Sequence, residues 1–448
     1  MQPSSQPSMN DPATWPPPRH GWYVTIVLLV GFTFSFIDRQ VLNLLVEPIR
    51  ADLSITDTQI SFLQGLAFVL TYVSMSVPIG RMVDRFNRVV IMVAGVLVWS
   101  VTTVACGLSR NYLQLLVARM GVGTGEAALT PAAWSVLADY FHPDKLARPI
   151  SVYLMGPYLG AGIAMIAGAE VLDWTKQVEH LSLPLVGVVS PWQFTFIAVG
   201  LPGFLVAALI ATVREPVRRG RSGDARIVPP WKDVVAYLRA NKRIYIALHL
   251  GVPFLVVMLY SLQAWIPTVM VRVYQWDLAQ AGRVYGVIAL LAGSGGVLTG
   301  PFAARFLERR GHPGAPLQLA MFGAVMASSW LVALPFQENA IMGLVCVAGA
   351  SFSVTLPLAL ITSSIQLVTP NEMRGVVNGM YVVTNNVIGL ALGPTLVALS
   401  TDFIFQDTIA VAKSLGLVAL VVGPIGVVLL AIGVKPYVQH IRTTTAGE

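Results

Sequence analysis

The stretch that decides the fold is Gly80-Arg-Met-Val-Asp-Arg-Phe-Asn-Arg88, which separates two long apolar runs. A related stretch, Gly300-Pro-Phe-Ala-Ala-Arg-Phe-Leu-Glu-Arg309, follows another apolar run 220 positions later. The segments Pro143–Arg148 and Pro370–Arg374 form a second such pair, 226 to 227 positions apart. Two matches at nearly one offset predict that the chain is a duplication of two halves that pack about an axis along the membrane normal.

The composition places these stretches between membrane helices. Of the 448 residues, 55% are hydrophobic and 11% are charged, and the mean hydropathy is +0.69. Soluble domains carry about 25% charged residues, so a soluble multidomain enzyme and a disordered chain are both excluded. Apolar runs of helical length predict an all-α membrane protein, not a β-barrel. We predict about twelve membrane helices, near 22–46, 58–80, 89–108, 112–138, 147–171, 191–213, 243–268, 281–304, 315–335, 340–367, 375–399 and 409–434.

The cations predict the orientation. With the N-terminus inside, 21 of the 29 Lys and Arg residues fall in inner segments and six in outer ones. Positive charge collects on the cytoplasmic side of membrane proteins. Both termini are therefore expected in the cytoplasm, with the chain in the plasma (inner) membrane as a multi-pass protein. The net charge of +7 is explained by this topology, so no nucleic-acid partner is expected.

Four regions follow from this pattern. Residues 1–20, rich in Pro, Ser and Gln, are expected to be a disordered cytoplasmic tail. Residues 21–213 would form an N-terminal six-helix bundle, and residues 243–448 a C-terminal six-helix bundle with its tail. Residues 214–242 are rich in Arg and Lys and would form a cytoplasmic linker with a short amphipathic helix from Trp231 to Leu238.

Six plus six helices with this loop resemble the major facilitator superfamily, whose loop signature is G-x-x-x-D-R/K-x-G-R. Asn87 replaces the usual second Gly, and Ala304 stands where the second copy could keep the Asp. The stretches Phe36–Gln40, Glu47–Leu53 and Arg119–Ala127 resemble the spinster family within it. The last of these, R-x-G-x-G-x-G-E-A, also resembles organic-anion symporters of the same fold. The resemblance implies alternating access, with spans one and four lining a central cavity.

Charges inside the spans are the strongest candidates for a site, because each is costly in a bilayer and needs water or a partner. Asp38 and Arg39 lie in span one, and Arg119 and Glu126 in span four. The last two are seven residues apart and share a helix face, about 10 Å apart along the axis. Asp38 and Arg119 are expected at similar depth, so they could pair if their helices are neighbours. Arg39 points about 100° away from Asp38.

We predict that these four residues bind substrate and carry the coupling proton, with Arg119 holding an anionic headgroup and Glu126 taking the proton. The alternative is a purely structural pair that holds the N-terminal bundle. For Arg39, packing alone is as good an explanation as transport. Gln64, Asn385 and Asn386 would line the cavity or bond between helices.

The loop residues are interpreted as a gate. Gly80 permits close approach, and Asp84 can sit at the N-terminus of a facing helix, which the resemblance identifies as span eleven. Arg88 could pair with Asp139 at the end of span four, and the group would latch the inner side shut. The alternative is that Arg85 and Arg88 only follow the positive-inside rule.

The two halves differ in polarity, because the C-terminal spans carry no acidic or basic residue at depth. A cavity with one charged and one apolar wall suits an amphipathic substrate. The resemblance agrees, since eukaryotic spinster proteins are associated with lysosphingolipids and lysophospholipids. We therefore expect a secondary active transporter of lipid-like substrates, acting as a monomer in the bilayer without a cofactor and with a proton as coupling ion. A symporter of small organic anions is the alternative. A membrane-embedded enzyme or a channel is less favoured, and no His/Cys cluster has metal spacing.

Overall fold

The computed structural model describes residues 15–142, 145–176, 181–183, 187–218, 230–370 and 372–446. Within these described residues, eleven helices are long and apolar enough to cross a membrane. They are Pro18–Leu44 (span 1), Asp57–Arg85 (span 2), Arg88–Gly107 (span 3), Arg148–Thr175 (span 5), Pro191–Ala211 (span 6), Lys242–Arg272 (span 7), Leu278–Arg309 (span 8), Ala315–Phe336 (span 9), Ala340–Val368 (span 10), Arg374–Phe405 (span 11) and Thr408–Thr443 (span 12).

The remaining span is broken. The helices Tyr112–Glu126 and Leu129–Tyr140 follow one another and together form span 4. The prediction of about twelve membrane helices is therefore confirmed. Shorter elements are the helix Val46–Leu53, the linker helix Trp231–Ala240 and an antiparallel pair of strands, Ser182–Leu183 and Gly187–Val188.

The breaks repeat between the halves. Span 10 is interrupted after Thr355, at the place that corresponds to the break after Glu126 in span 4. Proline explains both breaks, because Pro131 has no N–H to donate to the carbonyl of Ala127, and Pro357 lies in the break of span 10. A π-helical turn occurs in span 2 at Phe62–Leu66 and again in span 8 at Ala289–Gly293. Such turns mark functional positions more often than ordinary helix does.

Spans 1–6 pack mainly against one another, and spans 7–12 do the same. We call these the first set and the second set, and they are the two six-helix bundles expected from the sequence. We call the end of the molecule that carries Gly80–Arg88 the signature end, and the other the opposite end. The predicted tail, residues 1–20, lies outside the described residues as far as position 14, and span 1 begins at Pro18. Residues 219–229 of the predicted linker also lie outside them.

The two sets touch at the middle and at the opposite end. Span 2 meets span 11 at Gly65, where an added Cβ would lie 2.3 Å from the carbonyl oxygen of Leu390. Span 5 meets span 8 at Gly162, where an added Cβ would lie 2.9 Å from the carbonyl oxygen of Gly286. Backbones this close need glycine, and small residues at crossings are the usual means of helix packing in membranes.

The signature end is open. An added Cβ on Gly80 of span 2, or on Gly375 or Gly379 of span 11, would have no atom of another described segment within 4 Å. The contact that we expected between the signature and span 11 is therefore not made at Gly80 in this conformation. The signature is also not a loop, because span 2 continues as helix to Arg85 and only two residues connect it to span 3. Exposed polar side chains let the helix extend beyond the hydrocarbon region.

Candidate functional site

A buried ion pair joins span 1 to span 4. The Nη2 of Arg39 contacts the Oε2 of Glu126, and the two side chains are 8% and 1% exposed. The hydroxyl of Ser35 donates to the same carboxylate oxygen at 3.0 Å. The guanidinium carbon lies 4.4 Å from the ring centre of Phe36 and 4.1 Å from that of Phe68. Charge pairing and cation–π contacts together compensate the cost of burying both ions.

The pair lies where the two sets meet. Glu126 is the last residue before the break in span 4. Gln40, the residue after Arg39, donates to the Oε1 of Gln263 in span 7 of the second set at 2.8 Å. The Oε1 of Glu126 and the Nε of Arg39 are buried and have no hydrogen-bond partner among the described residues. Buried polar atoms are nearly always partnered. An acceptor and a donor are therefore still available here for a proton, a water molecule or a ligand.

Asp38 and Arg119 are arranged differently from the prediction. The Nη1 of Arg119 donates at 3.2 Å to the main-chain carbonyl of Asp38 and not to its carboxylate, and its Nε donates to the carbonyl of Leu63. The carboxylate of Asp38 accepts from Thr103 at 3.3 Å. Arg119 is fully buried inside the first set, and its Nη2 has no hydrogen-bond partner among the described residues. That it holds a headgroup stays a prediction. The guanidinium of Arg39, which points to a different side of span 1 from Asp38, is the one that contacts Glu126.

The three polar residues predicted to line the cavity, Gln64, Asn385 and Asn386, differ in their contacts with the other set. Gln64 is 3% exposed, and its Nε2 donates to the carbonyl of Ala264 in span 7 at 3.3 Å. Asn385 and Asn386 begin the π-helical turn Asn385–Ala391 of span 11. Among the described residues, Asn386 donates to the carbonyl of Val382 in its own helix, and the Oδ1 of Asn385 is buried without a partner.

A charge cluster that we did not predict holds the opposite end closed. Arg272, at the end of span 7, donates to both carboxylate oxygens of Asp57 at 2.6 and 2.8 Å and to Glu47 at 2.7 Å. Arg50 approaches the same Asp57 at 3.0 Å. We call these four residues the Arg272 cluster. Because Arg272 belongs to the second set and the other three to the first, the cluster joins the two sets.

A signal for this cluster was present in the sequence. Arg50 and Arg272 are two of only six cations on the predicted outer side, where the positive-inside rule disfavours them. They are also 222 positions apart, close to the offset of the duplication. Cations that are both disfavoured by topology and repeated between the halves merit a search for acidic partners.

A second link across the opposite end is exposed. The Nζ of Lys176 lies 2.6 Å from the Oδ1 of Asp277, and the two side chains are 49% and 47% exposed. Through this hydrogen bond the ammonium lowers the pKa of the Asp277 carboxyl, and Asp277 raises the pKa of Lys176. The link is therefore present at neutral pH. It is lost as the pH falls through the lowered pKa of Asp277, or rises through the raised pKa of Lys176.

We expect Lys176→Gln to change the balance between conformations by less than about threefold, because exposed ion pairs contribute only ~0–1 kcal/mol. The measurement is the fraction of molecules closed at the opposite end, from distances between two spin labels. The difference between Lys176→Gln and wild type should vanish at a pH below the lowered pKa of Asp277. A large difference that persists there would show that Lys176 acts through something other than this link.

At the signature end, Arg88 is the centre of a cluster within the first set. Its side chain forms an ion pair with Asp139 of span 4. It forms a second ion pair with Glu215, which follows span 6, with 2.6 Å between the Nε of Arg88 and the Oε1 of Glu215. Glu215 also accepts from the backbone N–H of Arg88 and Val89, so it caps the start of span 3. The predicted contact of Arg88 with Asp139 is thus present. It does not latch the sets together, however, because it is formed while the signature end is open.

The residues around Arg88 are held by the chain that follows span 6. Arg218 donates to the carbonyls of Val83, Asp84 and Phe86, where span 2 ends. The side chains of Asp84 and Arg85 are exposed in the last turn of that helix. A cation at the C-terminal end of a helix satisfies the free carbonyls and favours the helix dipole. Spans 2 and 3 are therefore tied to span 6 as one body.

We expect Glu215→Ala to destabilise the first set by ~3 kcal/mol, because it leaves the nearly buried Arg88 with one partner fewer and removes a helix cap. Thermal unfolding of the purified protein measures the effect. The matched control is Glu338→Ala, at an exposed position on the opposite end. Equal melting temperatures for the two variants would contradict this role of Glu215.

Comparison with known proteins places this geometry in a family. The family model described as Major Facilitator Superfamily matches residues 28–394. The chain belongs to the major facilitator superfamily. Members of this superfamily are membrane transporters, so the protein is a multi-pass transporter by its fold.

Among relatives in the superfamily, an MFS-type efflux pump of Mycolicibacterium smegmatis is 26% identical over 90% of this chain and 90% of its own. The sphingosine-1-phosphate transporter SPNS2 of Xenopus tropicalis is 24% identical over 85% of this chain and 74% of its own. A bacterial homologue of the human lysosomal transporter spinster, in an inward-facing and unoccupied conformation, has a similar structure. Its TM-score is 0.75, with 24% identity over 96% of this chain and 98% of that one. The resemblance to spinster proteins found in the sequence is thereby confirmed.

Proposed function

We propose that the protein is a proton-coupled secondary transporter that moves an amphipathic, lipid-like substrate by alternating access. The observation that carries this proposal is the buried Arg39–Glu126 pair, which lies at the break of span 4 beside the second set. A protonated Glu126 would lose its charge attraction to Arg39 and free the guanidinium. Loading a proton and releasing the ion pair are therefore linked at one point between the two sets.

The signature end is the cytoplasmic end in this proposal, because the cations collect there. The conformation then opens toward the cytoplasm, and the Arg272 cluster is the outer gate. Rocking of the two sets about the pair would break the Arg272 cluster and bring Gly80 against span 11. The plasma membrane remains the expected location.

The substrate class rests on two supports. The cavity would have a charged wall at Arg39 and a largely apolar wall in the second set, which suits a polar head with an apolar tail. One relative is named as a sphingosine-1-phosphate transporter. The second candidate, a small organic anion, is favoured by the unpartnered Nε of Arg39, since a guanidinium binds phosphate and carboxylate alike.

We expect Arg39→Ala to abolish the binding of an anionic lysolipid and Arg39→Lys to weaken it by about tenfold, because lysine lacks the planar pair of donors. Binding to purified protein is measured with lysophosphatidic acid, a sphingoid phosphate and a dicarboxylate as separate probes. The control is Arg110→Ala, an exposed cation at the opposite end. Unchanged lysolipid binding in Arg39→Ala would place the head elsewhere, and binding of the dicarboxylate alone would favour the second candidate.

A further inference from the structure

An apolar groove of about 530 Å³ lies on the first set, away from the ion pair. This is a volume typical of small-ligand sites, which measure roughly 300–1,000 Å³. Its lining comes from span 2, span 3, their two-residue connection and span 4. Among the lining residues are Met82, Phe86, Val90, Val98, Thr124 and Ala128.

The groove faces outward from the first set. Its lining includes residues of neither span 1 nor the second set, so it is separate from the cavity between the two sets. The side chains of Val90 and Val98 are 64% and 42% exposed. Because both residues lie within span 3, the medium that meets them is the hydrocarbon of the bilayer.

Two glycines create the groove. An added Cβ on Gly95 of span 3 would lie 2.6 Å from the Cβ of Ala128, and one on Gly125 of span 4 would lie 2.5 Å from the backbone nitrogen of Trp99. Spans 3 and 4 therefore cross at van der Waals contact. Spans 2 and 3 make few contacts with each other, so span 4 forms a floor between two raised walls.

The length of the groove matches one leaflet. Along span 3 it extends from Asn87, beside the signature end, to Val98. Eleven residues of helix rise about 16 Å at ~1.5 Å per residue, which is about half of the ~30 Å hydrocarbon core. A lipid whose head lies at the signature end would place its tail along this path.

We propose that the groove binds one acyl chain of a bilayer phospholipid from the leaflet at the signature end. The chain packs against Thr124, Gly125 and Ala128, which flank Glu126 on the outer side of span 4. The occupant is a phospholipid of the membrane and not the transported substrate, because the groove is separated from Arg39 and Glu126 by span 4 itself. Asn87, which directly precedes span 3, marks its polar mouth.

The first experiment is photolabelling. Purified protein is placed in nanodiscs that contain phosphatidylcholine with a diazirine in the middle of one acyl chain, and the labelled residues are mapped by mass spectrometry. Labelling within residues 79–98 is expected to exceed that of the equally exposed Leu113 and Val117 by about fivefold, the factor that ~1 kcal/mol of preferential packing gives. Equal labelling of the two surfaces would overturn the proposal.

The second experiment fills the groove. Ala94 lines it and is exposed, so Ala94→Phe would occupy the tail's place and should reduce the labelling to that of Leu113 and Val117. Val98→Phe should do the same if the first variant does not fold. The matched control, Ala431→Phe, carries the same change at an exposed position of span 12 and should leave the labelling unchanged.

Binding of lipid to the native state should also raise its thermal stability. Adding phosphatidylcholine to delipidated protein should raise the melting temperature of wild type and Ala431→Phe more than that of Ala94→Phe. Equal increases in all three, or groove labelling that persists in Ala94→Phe and Val98→Phe, would contradict an acyl-chain site. Loss of groove labelling when excess lysolipid is added would assign the groove to the substrate path instead.

Discussion

Replacing Glu126 with glutamine is expected to abolish the dependence of transport on an imposed pH gradient. The amide keeps the shape of the carboxyl and can still accept from Arg39 and Ser35, but it cannot take up or release a proton. Removing the proton step removes the coupling while much of the binding remains. The measurement is uptake of a labelled lysolipid into proteoliposomes with and without the gradient. Wild type should respond to the gradient by about tenfold, which corresponds to one pH unit or ~1.4 kcal/mol per proton.

The control for Glu126→Gln is Glu338→Gln, an exposed carboxylate at the opposite end. It should keep the response of wild type. Asp38→Asn is the informative second variant, because Asp38 is buried beside Arg119 and its Oδ1 has no hydrogen-bond partner among the described residues. If Glu126→Gln and Asp38→Asn each retain the full response, neither carries the proton and the proposed coupling is wrong.

The second large effect is expected at the Arg272 cluster. Arg272→Ala removes the only residue of the cluster that belongs to the second set, so it should open the opposite end. Breaking a buried ion pair costs ~3–5 kcal/mol, and Arg50 compensates part of that cost for Asp57. We therefore expect a shift of about tenfold to a hundredfold toward molecules open at the opposite end. Spin labels at positions 113 and 341, near the starts of spans 4 and 10, measure this opening.

Arg110→Ala removes a cation from the same end of the molecule without removing a contact between the sets. Its distance distribution should match that of wild type. Lys176→Gln should fall between the two, because its pair with Asp277 is half exposed. If Arg272→Ala has the distribution of wild type, the cluster does not hold the gate closed, and the tight glycine crossings at Gly65 and Gly162 are sufficient to close it.

The architecture could be predicted from the sequence because it depends on local properties. Apolar length gives the spans, and the repeated stretches at Gly80 and Gly300 give the two sets. The exact ends of the spans were harder to predict. Span 2 was predicted to stop at residue 80 but continues to Arg85, because hydropathy records the hydrocarbon region and a helix with exposed polar side chains can continue into water.

The site was predicted in part. The four charged residues were found because ions in a bilayer need partners, but their pairing depends on which helix faces contact each other. Similar depth in the bilayer favoured a pair between Arg119 and the carboxylate of Asp38. Instead, the Nη1 of Arg119 binds a main-chain carbonyl, and Arg39 reaches Glu126. Helix spacing alone describes one helix and does not determine the rotation of span 1 against span 4.

The central claim, alternating access about the Arg39–Glu126 pair, is tested most directly by measuring both ends of one molecule. In a background with Cys106 and Cys346 replaced by alanine, one label pair is placed at 113 and 341 and another at 86 and 367. The account predicts that the first distance increases as the second decreases when substrate and pH are varied, and that Glu126→Gln uncouples both changes from pH. Two distances that increase together, or that vary independently of each other, would contradict alternating access and favour a channel.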